Sequence, residues 1–290
     1  MSVDQLQEKI RKLKNPSVVD MYMSADQIPP AIMEESGSYL AAYLAYCMQL
    51  LDALKEIVPA VRFGFGSLAL LGAEGFSTLQ KLLQQAKQLG YYVLLDAPEA
   101  LSGVNAEQNA MHLFSQKNTL YFDGLILSSY IGSDGIRPYA EQIKDSEKGL
   151  FVVVRTANRS AAELQDLRTG SRLVHAAAAD IINRYADPLL GKSGYSKIAM
   201  MAGASSAESL QTLRSKYKYL FLLLDGYDYP NSNAKNCAAA FDRLGHGAAA
   251  CAGESIVAAW KEEVGQDPVT AAVQAAQRMK KNLARYITVL

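Results

Sequence analysis

The apolar residues of this chain fall in short unbroken runs, such as Leu150-Phe151-Val152-Val153-Val154 and Phe221-Leu222-Leu223-Leu224, with little strict alternation. A strand covered by helices on both faces has no polar face, so runs of this kind predict buried parallel strands. Eight can be counted: Ser17–Tyr22, Ala60–Gly66, Tyr91–Ala97, Gly124–Ser129, Leu150–Thr156, Lys197–Gly203, Tyr219–Gly226 and Gly247–Gly253. The last, built on Ala-Ala-Ala-Cys-Ala, is weak alone and rests on the count and on the helix after it. Segments of helical pattern alternate with the runs: Tyr39–Ile57, Leu79–Leu89, Ala106–Phe114, Ala161–Leu167 with Leu173–Tyr185, Ala207–Tyr217, Ala234–Leu244 and Ser255–Val264. Eight repeats of strand then helix predict an α/β fold of the closed (β/α)8 barrel kind over an open doubly wound sheet. A further helix, Ser2–Leu13, is placed to cover the barrel floor, and Val269–Tyr286 to close the outside.

Composition supports one body. At 290 residues and 50% apolar the chain can bury a large core, and barrels of this length are commonly one domain. Residues 1–290 are therefore taken as a single barrel, with 1–14 as an N-terminal helix and 267–290 as a C-terminal one. Twenty-nine basic residues balance 29 acidic ones, leaving no broad basic field for nucleic acid or an anionic membrane. The expected partners are small molecules or protein. Cys47, Cys237 and Cys251 have no pairing or metal spacing and read as buried small apolar residues of a reducing compartment. Met1–Lys14 lacks an apolar core of signal-peptide length, and no run approaches a membrane span of about 18 residues, so a cytoplasmic location is expected. His112, His175 and His246 lie away from the strand C-terminal ends, where barrel chemistry sits. No Gly-rich nucleotide loop, Ser-His-Asp set or His-x-x-x-His motif is present, and neither a cofactor nor a metal is expected.

One segment carries a recognisable frame. Tyr91 to Ala106 runs as a strand ending in Asp96, then Pro98, Leu101 and Asn105. It resembles the signature of the bacterial type 2 orotidine 5′-phosphate decarboxylases, a strand ending in Asp-x-Lys-x-x-Asp followed by Ile-Gly-x-Thr. The resemblance extends over nearly the whole chain. Asn15–Val19 is similar to the family's first strand and Ile57–Val61 introduces its second. Tyr130–Ile136 resembles its Tyr-Leu-Gly-Ser-Asp loop, and Phe151–Asn158 with Leu164–Leu167 resembles its fifth strand with the Thr-Ser-Asn-Pro and Gln-Asp-Leu elements. Gly226-Tyr227 and Ala248–Trp260 correspond to its last two strand ends. The family's reaction, as the resemblance implies it, removes the C6 carboxylate of orotidine 5′-phosphate without a cofactor. A Lys in a Lys/Asp array protonates the carbanion that is left.

Much of that array is replaced here. The family's first-strand Asp falls at Tyr22, its second-strand Lys at Arg62, and its signature Lys and following Asp at Pro98 and Leu101; only Asp96 is unchanged. Arg62 keeps the charge, but a guanidinium is a poor proton donor near neutral pH. The phosphate loop of the family corresponds to Asp225–Ser232, with Pro230 in place of its Gln, and Glu254 stands where an Arg would meet the phosphate. At about 4 Å and an effective dielectric near 20, a like charge repels by roughly 4 kcal/mol where attraction is needed.

Candidate catalytic positions are therefore Arg62 and Asp96, with Tyr22, Pro98 and Leu101 at the lost ones. By the resemblance, Asn105, Ser128, Thr156, Asn158, Asp225, Tyr227, Asp228 and Glu254 are the candidate ligand-binding residues. Asp96, Glu99, Asp225, Asp228 and Glu254 would line the barrel mouth, either as a pocket remade for a cationic, polyhydroxylated or metal-bound ligand or as helix caps and solvated loop charges. Tyr22, Tyr130, Tyr227 and Tyr229 near strand ends either stack on a ring or fill space. The family shares site residues across two subunits, so a homodimer with the mouths near its interface is expected, Leu101 and Asn105 holding the shared positions. Three functions stay open: a ligand-binding or regulatory homologue that has lost decarboxylation, an enzyme of different chemistry, and a genuine decarboxylase.

Overall fold

A computed structural model describes residues 2–98, 103, 105–115, 117–263 and 265–290. Glu99 and Leu101 lie outside the described residues. Eight parallel strands close into a barrel: β1 (Ser17–Asp20), β2 (Ala60–Gly64), β3 (Tyr92–Asp96), β4 (Gly124–Ser128), β5 (Gly149–Arg155), β6 (Ile198–Gly203), β7 (Leu222–Asp225) and β8 (Ala248–Ala252). Each pairs with its sequence neighbours and β8 pairs back on β1, with Ser17 opposite Ala250. Closure removes the two open edges that would otherwise expose unpaired N–H and C=O groups. The run Ala248–Ala252 is fully buried, and its small side chains fit a position packed from both sides.

Alternate residues of each strand point inward. Leu94, Ile126, Phe151, Met201, Leu223 and Cys251 belong to an interior cluster separate from the larger one between sheet and helices. Gly124 is small for a reason: a Cβ there would lie 2.6 Å from both Leu94 and Phe151. The Phe151 ring also meets Tyr92 and Phe221 edge-on at 6.3 Å. The Ser2–Leu13 helix closes the floor by placing Val3, Leu6 and Ile10 in this same interior cluster. Leu6 and Ile10 are fully buried, each contributing roughly 1.5–3 kcal/mol. Polar bonds fix the helix in register: Ser2 Oγ donates to the Asp123 carbonyl (2.8 Å), and Gln7 Oε1 accepts from Gly247 N (3.0 Å).

The strands are shorter than the apolar runs, which leaves Tyr22, Ala97 and Thr156 just beyond strand ends, where site residues belong. The predicted Ala234–Leu244 helix ends at Ala238, and Ser255–Val264 becomes Glu254–Val257 with a following 3-10 turn at Ala259–Lys261. Residues 168–173 form a two-strand hairpin, Arg168–Thr169 against Arg172–Leu173, between the Ala161–Leu164 and Val174–Asn183 helices. Three short helices went unpredicted: Pro30–Ser36, Phe65–Ala69 and Arg137–Gln142. Pro30 and Pro138 sit in the first turn of their helices, where a missing N–H costs nothing. Among the described residues, no helix is long and apolar enough to cross a membrane.

Candidate functional site

The strand ends bring one cation and three carboxylates into contact at the centre of the mouth. Asp20 and Arg62 are register partners on neighbouring strands, so their inward side chains meet. Arg62 Nε donates to Asp20 Oδ1 (2.6 Å) and Nη2 to Asp20 Oδ2 (2.5 Å). Nη2 also donates to Asp225 Oδ1 at the end of β7 (2.8 Å), and Nη1 lies 3.5 Å from Asp96 Oδ2 at the end of β3. Arg62 is 5% exposed, and its guanidinium lies over the Tyr22 ring, 5.4 Å from the centroid. The Tyr22 hydroxyl donates to Asp96 Oδ2. A side chain at Gly64 would collide with that ring, so Gly64 makes the room that Tyr22 fills. The ring is thereby packed between Gly64 and the Arg62 guanidinium, on the wall of the mouth.

Protonation follows from this packing. Burial first, and then the like charges of Asp225 and Asp96, push Asp20 up to about 6 against the pull of Arg62. One guanidinium cannot neutralise three carboxylates in a poorly solvated site, so shifting one of them upward is the expected response. Burial also holds the Tyr22 hydroxyl well above its usual value, keeping it a donor, and keeps the Cys251 thiol on the cavity wall protonated.

Above this cluster opens a cavity of about 460 Å³, with Pro98, Arg155, Thr156, Asp228, Tyr229 and Glu254 on its walls. The structure gives Asp228 a more definite place than the acidic rim predicted from sequence. Its Oδ2 accepts from Gly253 N (2.6 Å) and Ser255 N (3.4 Å), and its Oδ1 accepts from Ser255 Oγ. A carboxylate of the protein thus takes the backbone donors of the turn after β8. Glu254 sits beside it, exposed, as the first residue of its short helix.

The predicted residues divide into those that converge and those that do not. Arg62, Asp96, Tyr22, Pro98, Thr156, Asp225, Asp228 and Glu254 line one cavity. Ser128, at the end of β4, lines an adjoining hollow of about 340 Å³ that shares Pro98 and Thr156 with it. Three positions lie elsewhere. Asn105 is exposed at the start of the Ala106–Phe114 helix, outside the cavity wall. Asn158 is exposed, and its carbonyl accepts from Ala161 N (3.1 Å) to turn the chain. Tyr227 points to the outer wall, because Gly226 adopts φ +72° and alternate side chains then leave the turn on opposite sides. Tyr130 is tied to the Val154 carbonyl (2.7 Å).

Two charged cavity residues escaped the sequence reading. Asp20 lies two residues before Tyr22, so strand alternation gives both an inward direction; that parity was the available signal. Arg155 ends β5 and pairs with Asp166 through Nε–Oδ1 (2.9 Å) and Nη2–Oδ2 (2.8 Å). Gln165 holds Thr156 N (2.7 Å), so Gln165 and Asp166 support the wall residues of β5. Among the described residues no group of His, Cys, Asp and Glu is arranged to hold a metal ion.

A closed barrel with buried charges converging at the C-terminal strand ends belongs to the (β/α)8 class, whose sites are built at that face. More particularly, the chain is similar over most of its length to orotidine 5′-phosphate decarboxylases. It is 25% identical to the orotidine 5′-phosphate decarboxylase of Caldicellulosiruptor saccharolyticus, covering 97% of both chains. It is 27% identical to that of Rhodopirellula baltica over 89% of both. The fold is that of a putative orotidine 5′-phosphate decarboxylase from Streptomyces avermitilis (TM-score 0.77, 20% identity, 98% and 95% covered). A putative orotidine-monophosphate decarboxylase from Toxoplasma gondii superposes with TM-score 0.79 at 17% identity, 97% and 98% covered. No family model matches the chain.

Proposed function

We propose that this barrel has lost orotidine 5′-phosphate decarboxylation and serves as a cytoplasmic small-ligand-binding or regulatory homologue, without a cofactor. The observation that carries the reading is the state of Arg62. The cation at the centre of the mouth is a guanidinium held by Asp20, Asp225 and Asp96, and such a group gives up no proton near neutral pH. Asp228 on the backbone donors of Gly253 and Ser255 supports the same reading, since a phosphate would need donors of this kind. Purified protein is expected to show no conversion of orotidine 5′-phosphate to uridine 5′-phosphate above background. Turnover that survives removal of host enzyme and disappears in Arg62→Ala would overturn the proposal.

Two other readings have specific support. The similarity over 89–97% of the chain to proteins named orotidine 5′-phosphate decarboxylase favours a genuine decarboxylase, and the turnover assay decides that. Asp20, with its pKa near 6, favours an acid–base enzyme of different chemistry, because a carboxyl poised there can both give and take a proton. We further propose a homodimer with the mouths close to the interface. Exposed Leu70, Met111, Ile131 and Leu164 follow β2, β3, β4 and β5 in turn, and exposed apolar side chains on four successive connections favour a protein contact. Sedimentation of the wild type and of Leu70→Lys/Ile131→Lys tests it, a monomeric wild type counting against the dimer.

A further inference from the structure

A second hollow, of about 430 Å³, lies on the outer wall between the Ala234–Ala238 helix and the end of the Pro268–Ala284 helix. Its chemistry is opposite to that of the mouth. Tyr227, Asn233, Lys235, Asn282, Arg285 and Tyr286 line it, and no carboxylate does. Several surface cations are neutralised locally, as in Lys55–Asp52, Lys216–Asp180, Lys261–Asp26 and Arg278–Glu263. Lys235 and Arg285 enter none of the ion pairs found among the described residues, and both are exposed.

The rings add the second half of the recognition. Tyr227 reaches this side because Gly226 turns the chain and its own N–H is held by the Cys251 carbonyl (3.0 Å). It is half-buried and shares the wall of the hollow with Asn282. Tyr286 remains 55% exposed next to Arg285. Asn233 is already used as the cap of the short helix, accepting from Asn236 N (2.9 Å), so the helix end itself offers little. What remains to meet a ligand is two unpaired cations beside two aromatic faces.

We propose that this outer hollow is a binding site for a small planar anion of the aromatic carboxylate class. Lys235 and Arg285 take the carboxylate, the latter with the fork geometry a carboxylate matches, and the tyrosines contact the ring. A hollow of this size suits a small molecule. The site is independent of the chemistry assigned to the mouth.

Calorimetry at low salt and neutral pH tests it with 4-hydroxybenzoate. Benzyl alcohol serves as ring without charge and inorganic phosphate as charge without ring. Saturable binding of 4-hydroxybenzoate, stronger than either control, is expected. The Lys235→Ala/Arg285→Ala protein should bind it about tenfold or more weakly, while Glu254→Ala, in the mouth, should leave it unchanged. These surface substitutions remove no buried group, and unchanged thermal unfolding of each variant will show that the fold is intact. No saturable heat up to the solubility limit, equal affinity for phosphate, or binding that survives in the double variant overturns the proposal.

Discussion

Replacing Arg62 with Met tests the electrostatic centre of the molecule most directly. Met keeps an unbranched apolar stem and lacks the guanidinium, so the main loss is the charge and the hydrogen bonds it donates. Asp20, Asp96 and Asp225 then face one another without the guanidinium that contacts all three. Removing one partner of a buried pair costs about 3–5 kcal/mol; the side chains of Asp96 and Asp225 keep 15% and 21% exposure, which favours the lower end. A loss of about 3 kcal/mol corresponds to a fall in Tm of roughly 6–12 °C for a chain of this size. The deficit should shrink on acidification. Asp20 already titrates near 6 when folded, above its ordinary value of 3.8, so the native state binds this proton more tightly than the unfolded one. Its contribution is fully present below about pH 4 and is lost as pH rises through 6; without Arg62 the folded value moves higher still. Thermal unfolding at pH 7.5 and pH 5 for wild type, Arg62→Met and Arg62→Met/Asp20→Asn reads the effect, with the double variant recovering part of the loss through coupling. A single variant within about 0.5 kcal/mol of wild type, or a deficit equal at both pH values, would refute the assigned network.

Other expected outcomes concern the mouth. Pro98→Lys/Leu101→Asp should not restore decarboxylation, because Glu254 and Asp228 still oppose a phosphate; turnover in that variant would show otherwise. Adding Glu254→Arg should improve uridine 5′-phosphate binding before it improves rate, and equal calorimetric affinity with and without it would mean that Glu254 does not face the phosphate position. Asp228→Ala should also raise that affinity, by freeing Gly253 N and Ser255 N; no gain would show that these donors do not reach the ligand. In a Lys235→Ala/Arg285→Ala background, so that the outer hollow does not contribute, a low-salt thermal-shift screen should rank cationic or neutral small molecules above nucleotide monophosphates. Strong saturable stabilisation by uridine 5′-phosphate there would sink the altered-pocket reading.

The strands were legible because burial on both faces leaves a compositional trace, and even Ala248–Ala252 followed from the count. Interior charge at strand ends was half legible. Arg62 and Asp96 stood out through the resemblance, whereas Asp20 was hidden because the correspondence fell on Tyr22, two residues on. Loop direction was not legible at all. Tyr227 and Asp228 are adjacent in sequence, yet one faces outward and the other the mouth, a choice made by the positive φ of Gly226. Short helices such as Phe65–Ala69 span little more than one turn and leave no usable period.

The floor helix has a consequence for how the molecule comes to exist. Leu6 and Ile10 pack inside a closed ring of strands, and Gln7 is bonded to Gly247, 240 positions further along the chain. During synthesis at about 5–20 residues per second, that first helix therefore waits roughly 12–50 seconds before its final partners leave the ribosome. Throughout the interval its apolar face lacks those partners, so a growing chain of this kind is a candidate for chaperone capture at that helix. Ring closure, with contacts so distant in sequence, belongs to the slow end of folding.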